Sequence, residues 1–321
     1  MSEINCNNLK TENLDQLPRS FIEAVTMIKN FALQEIHKEC QQKQLYYHTV
    51  THAHSVVKRA NIIFKAIEPF EIGKGEDSRV SLTRTKHLID ICAIAHDMVQ
   101  EFLPKTNLNS ARKRESGVSE RATIAKLINY IENLQVIKQN DGFQLFTELD
   151  LQIIRESIEA TICVYDREDN SIYQPYLYSS DRSILLPARI IALADLGSLG
   201  IEGMEPFFHE GSLIFLEENP DTIPIIVNEE YKNQPELYEN LRQRLLQRAK
   251  FQVNFAKGRV ARFSSEVQGL SEETISILKN KIFKYLNADT IKTIELMTPT
   301  GKNTTLEKLI EFFGLHNISQ I

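Results

Sequence analysis

Apolar residues recur at helical spacing along most of the chain. Phe21, Val25, Ile28 and Leu33 mark one such face between Pro18 and Cys40, and Val56, Ile63 and Ile67 mark another between Tyr47 and Ile67. The stretch His87 to Val99 (HLIDICAIAHDMV) is apolar nearly all round, the pattern of a helix buried inside a domain. Ser119 to Gln139 is amphipathic through Ile124, Ile128, Ile131 and Leu134; Leu151 to Tyr165 repeats the pattern through Leu151, Ile154, Ile158 and Ile162. PARIIALADLGSLG predicts a short apolar helix. The clearest helix is PELYENLRQRLLQRAKFQVNFAKGRVARF: Pro235 suits its first turn, and Leu241, Leu245, Ala249, Val253, Ala256, Val260 and Phe263 form one stripe. The tail from about 266 holds two more helical segments, the last opening at Thr304-Thr305-Leu306-Glu307 as a capping box. No convincing run of alternating strands appears. The expected fold class is all-α.

Three intervening stretches read as loops. EPFEIGKGEDSRVSLTRT is charged and carries two glycines, QEFLPKTNLNSARKRESG is long and polar, and DREDNSIYQPYLYSSDRS is rich in tyrosine. The expected organisation is a flexible polar lead over 1–17, a helical domain over 18–205, and a helical extension over 206–321 that packs on or continues the core. With 12 Gly and 10 Pro, composition also favours helix.

Charge narrows the function classes. A formal charge of −6, from 37 basic and 43 acidic residues, argues against dedicated nucleic-acid binding but leaves room for a small phosphorylated substrate on a local basic patch. Cys6, Cys40, Cys92 and Cys163 lie far apart without a CxxC, which reads as free thiols in a reducing compartment. The N-terminal stretch lacks an apolar signal core, and no run approaches the ~18 apolar residues of a membrane span. The expectation is a cytoplasmic protein with no membrane partner.

The candidate chemistry lies at the ends of the apolar segments. YYHTVTHAHSVV places His48 and His52 four residues apart, on one face if the segment is helical, with His54 on the other side. His96-Asp97 terminates the most apolar segment, and Asp195 terminates ARIIALAD. Burying such groups without a partner costs several kcal/mol, and a divalent cation would compensate neutral imidazole and ionised carboxylate together. The alternatives for each piece alone are a helix end that meets solvent, an N-cap, or a core histidine satisfied by neighbours.

Taken together, the pattern H…HD…D with Tyr47-His48-Thr49-Val50-Thr51-His52 resembles the HD-domain superfamily of metal-dependent phosphohydrolases, most closely its cyclic-nucleotide-phosphodiesterase-like branch. The resemblance covers about residues 20 to 200. It implies an HD-domain helical bundle in which His52, His96, Asp97 and Asp195 hold one or two divalent ions (Mn, Mg, Ni, Zn or Fe). It further implies that His48 protonates a leaving oxygen and that a metal-activated water hydrolyses a phosphoester or nucleotide. A glutamate after the HD pair would contact that water; KRESGVSERA offers Glu115, which is favoured, or Glu120. Lys105, Arg112, Arg114 and Arg121, with Lys113, are the candidate phosphate donors, and Tyr173, Tyr176 and Tyr178 are candidates for stacking on a base. Two other readings stay open: a catalytically silent ligand-binding or regulatory scaffold, and a di-iron oxygenase on the same fold. The C-terminal helices are the candidate surface for homo-oligomerisation.

Overall fold

Every side chain from Leu88 to Ala95 is buried, and the rest of the fold is arranged around that segment. The structure, a computed structural model, describes residues 18–71, 82–105, 107, 110–136, 144–178 and 183–316. The polar lead over 1–17 lies outside the described residues.

Six helices build the first layer: α1 (Phe21–Lys43), α2 (Val50–Glu71), α3 (Leu82–Ala95), α4 (Val118–Val136), α5 (Glu148–Glu159) and α6 (Leu186–Asp195). α1, α2, α5 and α6 all pack on α3, and α4 packs on α1 and α5. The predicted stripes meet here: Val25, Ile28, Val56, Ile63, Ile67, Ile128, Ile131, Leu151, Ile154 and Ile158 are all buried in one cluster. Start signals follow capping chemistry. Ser20 caps α1 by accepting the Glu23 N–H, and Thr147 and Asp150 form a reciprocal capping box at α5.

The remaining helices are α7 (Met204–Glu218), α8 (Thr222–Val227), α9 (Pro235–Glu266), α10 (Glu272–Ile277), α11 (Ala288–Met297) and α12 (Leu306–Phe312). The chain is predominantly α, as its periodicity predicts. α9 has 32 residues and so spans roughly 48 Å at 1.5 Å per residue. Its first half buries Leu241, Leu245, Leu246 and Ala249 in a second cluster with α7 and α12. Its last turns carry Phe263 into the α1–α6 core, where Val267, Leu278 and Phe283 join it. Buried charge ties the two parts as well: Arg59 of α2, 1% exposed, pairs with Glu202 and with Glu210 of α7.

Several sequence expectations need correction. Leu151 to Tyr165 is not one helix. α5 stops at Glu159, and the β-branched run after it leads into a short antiparallel hairpin, β1 (Val164–Asp166) and β2 (Ser171–Tyr173), with Tyr165 opposite Ile172. The charged stretch after residue 67 is helical at both ends, since α2 runs to Glu71 and α3 opens at Leu82; residues 72–81 lie outside the described residues. Thr305, not Thr304, caps α12, accepting from the Lys308 N–H rather than pairing with Glu307. That register turns Leu306, Leu309 and Ile310 into the second cluster. Among the described residues, no helix is long and apolar enough to cross a membrane.

Candidate metal centre and its cavity

α3 ends one residue before His96, and the chain turns at once, with Met98 N–H donating to Ala95 O at 2.9 Å. The extended residues that follow are held by side chains from other helices. Thr123 accepts the Val99 N–H, Glu39 that of Gln100, and Ser119 that of Glu101. This fixes His96 and Asp97 at the open end of the buried helix. α6 delivers Asp195 from its last residue, and α2 delivers His52 from its first turn.

The four predicted ligands come together. One donor atom from each of His52, His96, Asp97 and Asp195 lies within 4.8 Å of all the others. His96 Nδ1 is 3.0 Å from Ala93 O, and because a carbonyl only accepts, Nδ1 carries a proton. Nε2 of His96 then faces Asp97 Oδ2 at 2.9 Å and Asp195 Oδ1 at 3.5 Å, while Nε2 of His52 lies 3.2 and 3.6 Å from the same two oxygens. Both Nε2 atoms are buried without a hydrogen-bond partner. A bare imidazole lone pair and a carboxylate lone pair repel at such distances, so something positive belongs between them. Protons are one answer: although burial opposes the charged imidazoles, Asp97 and Asp195 hold the His96 pKa well above its ordinary value. In turn, Asp195 is depressed to about 2 against the opposing effect of burial, by hydrogen bonding to His52 and His96. One divalent cation in place of the protons is the other, and the two-nitrogen, two-oxygen donor set suits Zn, Mn, Fe or Ni.

Two glutamines orient the carboxylates. Gln100 Nε2 donates to Asp97 Oδ1 at 3.2 Å, and Gln174 Nε2 donates to Asp195 Oδ2 at 3.2 Å. Each occupies the outer oxygen and leaves the inner one for the imidazoles. Support of this kind is what fixes ligand orientation in metal sites. Neither glutamine is legible in the sequence, because an isolated Gln in a loop carries no pattern.

His48 belongs to the site by a different route from the helical spacing. It lies ahead of α2, in a bend whose three successive N–H groups, on Tyr46, Tyr47 and His48, all donate to Glu217 Oε2 at 3.2, 3.0 and 3.0 Å. Glu217 Oε1 takes His48 Nδ1 at 2.5 Å, which leaves Nε2 facing Asp97 Oδ2 at 3.7 Å. The Glu217 side chain is fully buried, and although burial opposes its charge, His48 and these hydrogen bonds hold its pKa down at about 2. Glu217 lies in the last turn of α7, 169 residues from His48, so no local spacing points to it. His54 is exposed, as its helix face predicts.

The cluster opens into a cavity of about 600 Å³ whose walls include Arg114, Glu115, Glu120, Arg248 and Phe255. Both glutamates line it, but they differ. Glu115 is exposed, whereas Glu120 is half-buried and its pKa is raised by burial and, further, by Asp97 and Asp195. Glu120 therefore feels the carboxylates of the cluster. Of the four basic candidates, Arg114 alone lines the cavity, with Nη1 2.7 Å from Gln100 Oε1 and 3.0 and 3.2 Å from the two ring nitrogens of His48. Lys105 pairs with Asp221 at 3.3 Å, Arg112 donates to Lys43 O at 2.5 Å, and Arg121 is exposed, beside Gly117 but not itself in the lining. The tyrosines are structural: Tyr176 donates to Glu156, Tyr178 to Glu266, and Tyr173 sits edge-on to Tyr178 at 5.6 Å. Instead, Tyr165 reaches the cavity, with Arg244 and Arg248 from α9. Cys40, Cys92 and Cys163 are free thiols.

Compared with known proteins, the chain matches no family model, no curated protein and no solved structure.

Proposed function

We propose that the protein is a metal-dependent phosphohydrolase of the HD type, acting on a small phosphoester. The observation that carries this reading is the pair of buried, unpartnered imidazole Nε2 atoms facing two carboxylates, Asp97 and Asp195, that themselves line an open cavity. His52, His96, Asp97 and Asp195 would hold the cation, with Gln100 and Gln174 keeping the carboxylates in register. When bound, a divalent cation supplies Lewis acidity to a phosphoryl group and lowers the pKa of water in its shell.

The chain's own residues supply the remainder. Glu217 holds His48 in the Nδ1–H tautomer, so Nε2 is the nitrogen that faces the cavity floor and exchanges a proton with a leaving oxygen. Arg114, beside His48, offers donors to phosphoryl oxygens. Glu120, half-buried in the lining and raised by burial and by Asp97 and Asp195, is the carboxylate to take a proton.

Elemental analysis of the purified protein, beside an Asp97→Ala variant, tests the reading. One or two equivalents of a divalent metal in the wild type, lost in the variant, together with turnover of a phosphoester panel, is the expected result. No metal after reconstitution with excess divalent ions would leave a ligand-binding scaffold instead. Two equivalents of iron with an oxidised optical signature would replace hydrolysis by oxygen chemistry.

A further inference from the structure

Part of the cavity lining comes from α9, in the region to which the family resemblance does not extend. Arg248, Phe251 and Phe255 are spaced three and four residues apart, so they share one face of that helix, and all three line the cavity. Phe207 from α7 completes the wall.

Of the three arginines lining this cavity, Arg248 is the one without a close carboxylate among the described residues, although Glu218 of the same lining attracts it at longer range. Arg244 is taken by Asn219 at 2.8 Å and by Asp221 at 2.7 and 3.0 Å. Arg114 donates to Gln100 and lies 3.5 Å from Glu217. Arg248 donates its Nε to Gly211 O at 3.2 Å and lies 5.2 Å from the centre of the Phe251 ring. Among the described residues no carboxylate comes within 4.0 Å of its guanidinium. Its two terminal nitrogens carry four N–H donors, and among the described residues none of these makes a hydrogen bond. The half-buried position of Arg248 lowers its pKa, against the opposing attraction of Glu218.

The aromatic part of the wall has a defined shape. Phe251 and Phe255 stack with centroids 6.0 Å apart and planes 10° apart, and Phe255 and Phe207 follow at 6.1 Å and 27°. The three rings touch in sequence and make one apolar stretch of the lining, and a flat ring meets such a stretch by edge-to-face or offset contact better than a flexible chain does.

We propose that this wall is a substrate-selecting subsite, in which Arg248 takes the phosphoryl oxygens and the Phe251–Phe255–Phe207 row takes a flat aromatic group. The ligand class is thus a phosphate ester of an aromatic ring system rather than of an open-chain alcohol. The proposal rests on the phosphohydrolase reading for its anion, so its test is made by binding rather than turnover. Phosphonates serve as probes, because their C–P bond does not hydrolyse.

Titration calorimetry on the full chain with 1-naphthylphosphonate, hexylphosphonate and methylphosphonate separates the two halves of the subsite. The wild type binds the naphthyl compound about fivefold or more tighter than the hexyl one. Arg248→Gln weakens all three by about tenfold or more, and Arg248→Lys recovers part of the loss. Phe251→Ala weakens the naphthyl compound by roughly tenfold and leaves methylphosphonate unchanged. Circular dichroism identifies any variant that fails to fold, and Arg248→Lys then stands in for Arg248→Gln. Hexyl binding equal to or tighter than naphthyl, an unchanged affinity in Arg248→Gln, or no binding of any probe overturns the proposal. Selective binding without hydrolysis of any ester by the metal-loaded enzyme would retain the subsite and remove the hydrolase. Hydrolysis with an unchanged KM in Arg248→Gln would do the reverse.

Discussion

Glu217→Gln is the most informative single change, because one carboxylate joins two regions of the chain and orients His48. The amide has the same shape but one acceptor oxygen instead of two. If that oxygen keeps the N–H groups of Tyr46, Tyr47 and His48, the new NH₂ points at the His48 Nδ1–H, donor against donor. If it turns to His48, the three backbone donors lose their acceptor. The charge is lost as well, which leaves Arg114, 3.5 Å away, without its buried partner, and breaking a buried pair costs about 3–5 kcal/mol. Depression of the Glu217 pKa from 4.5 to about 2 by the same contacts is of the same order, about 3 kcal/mol of stability. The direction in pH follows. A depressed carboxylate stabilises the folded state fully above about 4.5 and loses that contribution as pH falls towards 2. Urea unfolding followed by far-ultraviolet circular dichroism is the assay, since the chain has no tryptophan. The variant should lose about 3 kcal/mol at neutral pH, and its stability should fall less between pH 4.5 and 2 than that of the wild type. A loss below about 1 kcal/mol with an unchanged pH profile would refute the assignment of Glu217 as the buried anchor of His48.

Three further changes probe other parts of the molecule. His48→Asn should lower kcat by about 100-fold or more while bound metal, measured by elemental analysis, stays at the wild-type level; a parallel loss of metal would make His48 a ligand instead. Arg59→Met strands Glu202 and Glu210 beside a buried apolar side chain and should destabilise the fold by about 3 kcal/mol in urea. An unchanged midpoint would mean those carboxylates find other partners. Gly200→Ala places a Cβ 2.5 Å from Phe283 Cδ1, in a core position 1% exposed, and should cost about 1–3 kcal/mol by overpacking. A melting temperature at or above that of the wild type would show that the ring moves aside freely.

The first-layer helices were legible because each has to bury one stripe, and a stripe at helical period survives in the sequence without knowledge of its partner. Val25 and Ile28, Val56 and Ile63, Ile154 and Ile158 need only an apolar neighbour, and any of the surrounding helices supplies one. His96, Asp97 and Asp195 were visible for the opposite reason: polar groups closing apolar helices stand out, and the same physics that makes them costly to bury draws them to one charge-balanced point. Local rivalry blurred the rest. The run after Glu159 satisfies a helical period, but its β-branched residues and the pairing of Val164 with Tyr173 make a hairpin there. What only the tertiary structure decided is which distant polar groups answer the site. Glu217, Gln100, Gln174 and Arg248 are unremarkable letters in their own segments. Each acquires a role because a hydrogen bond depends on where two atoms meet, within about 3 Å and at a favourable angle, and the chain path between them leaves no periodic trace.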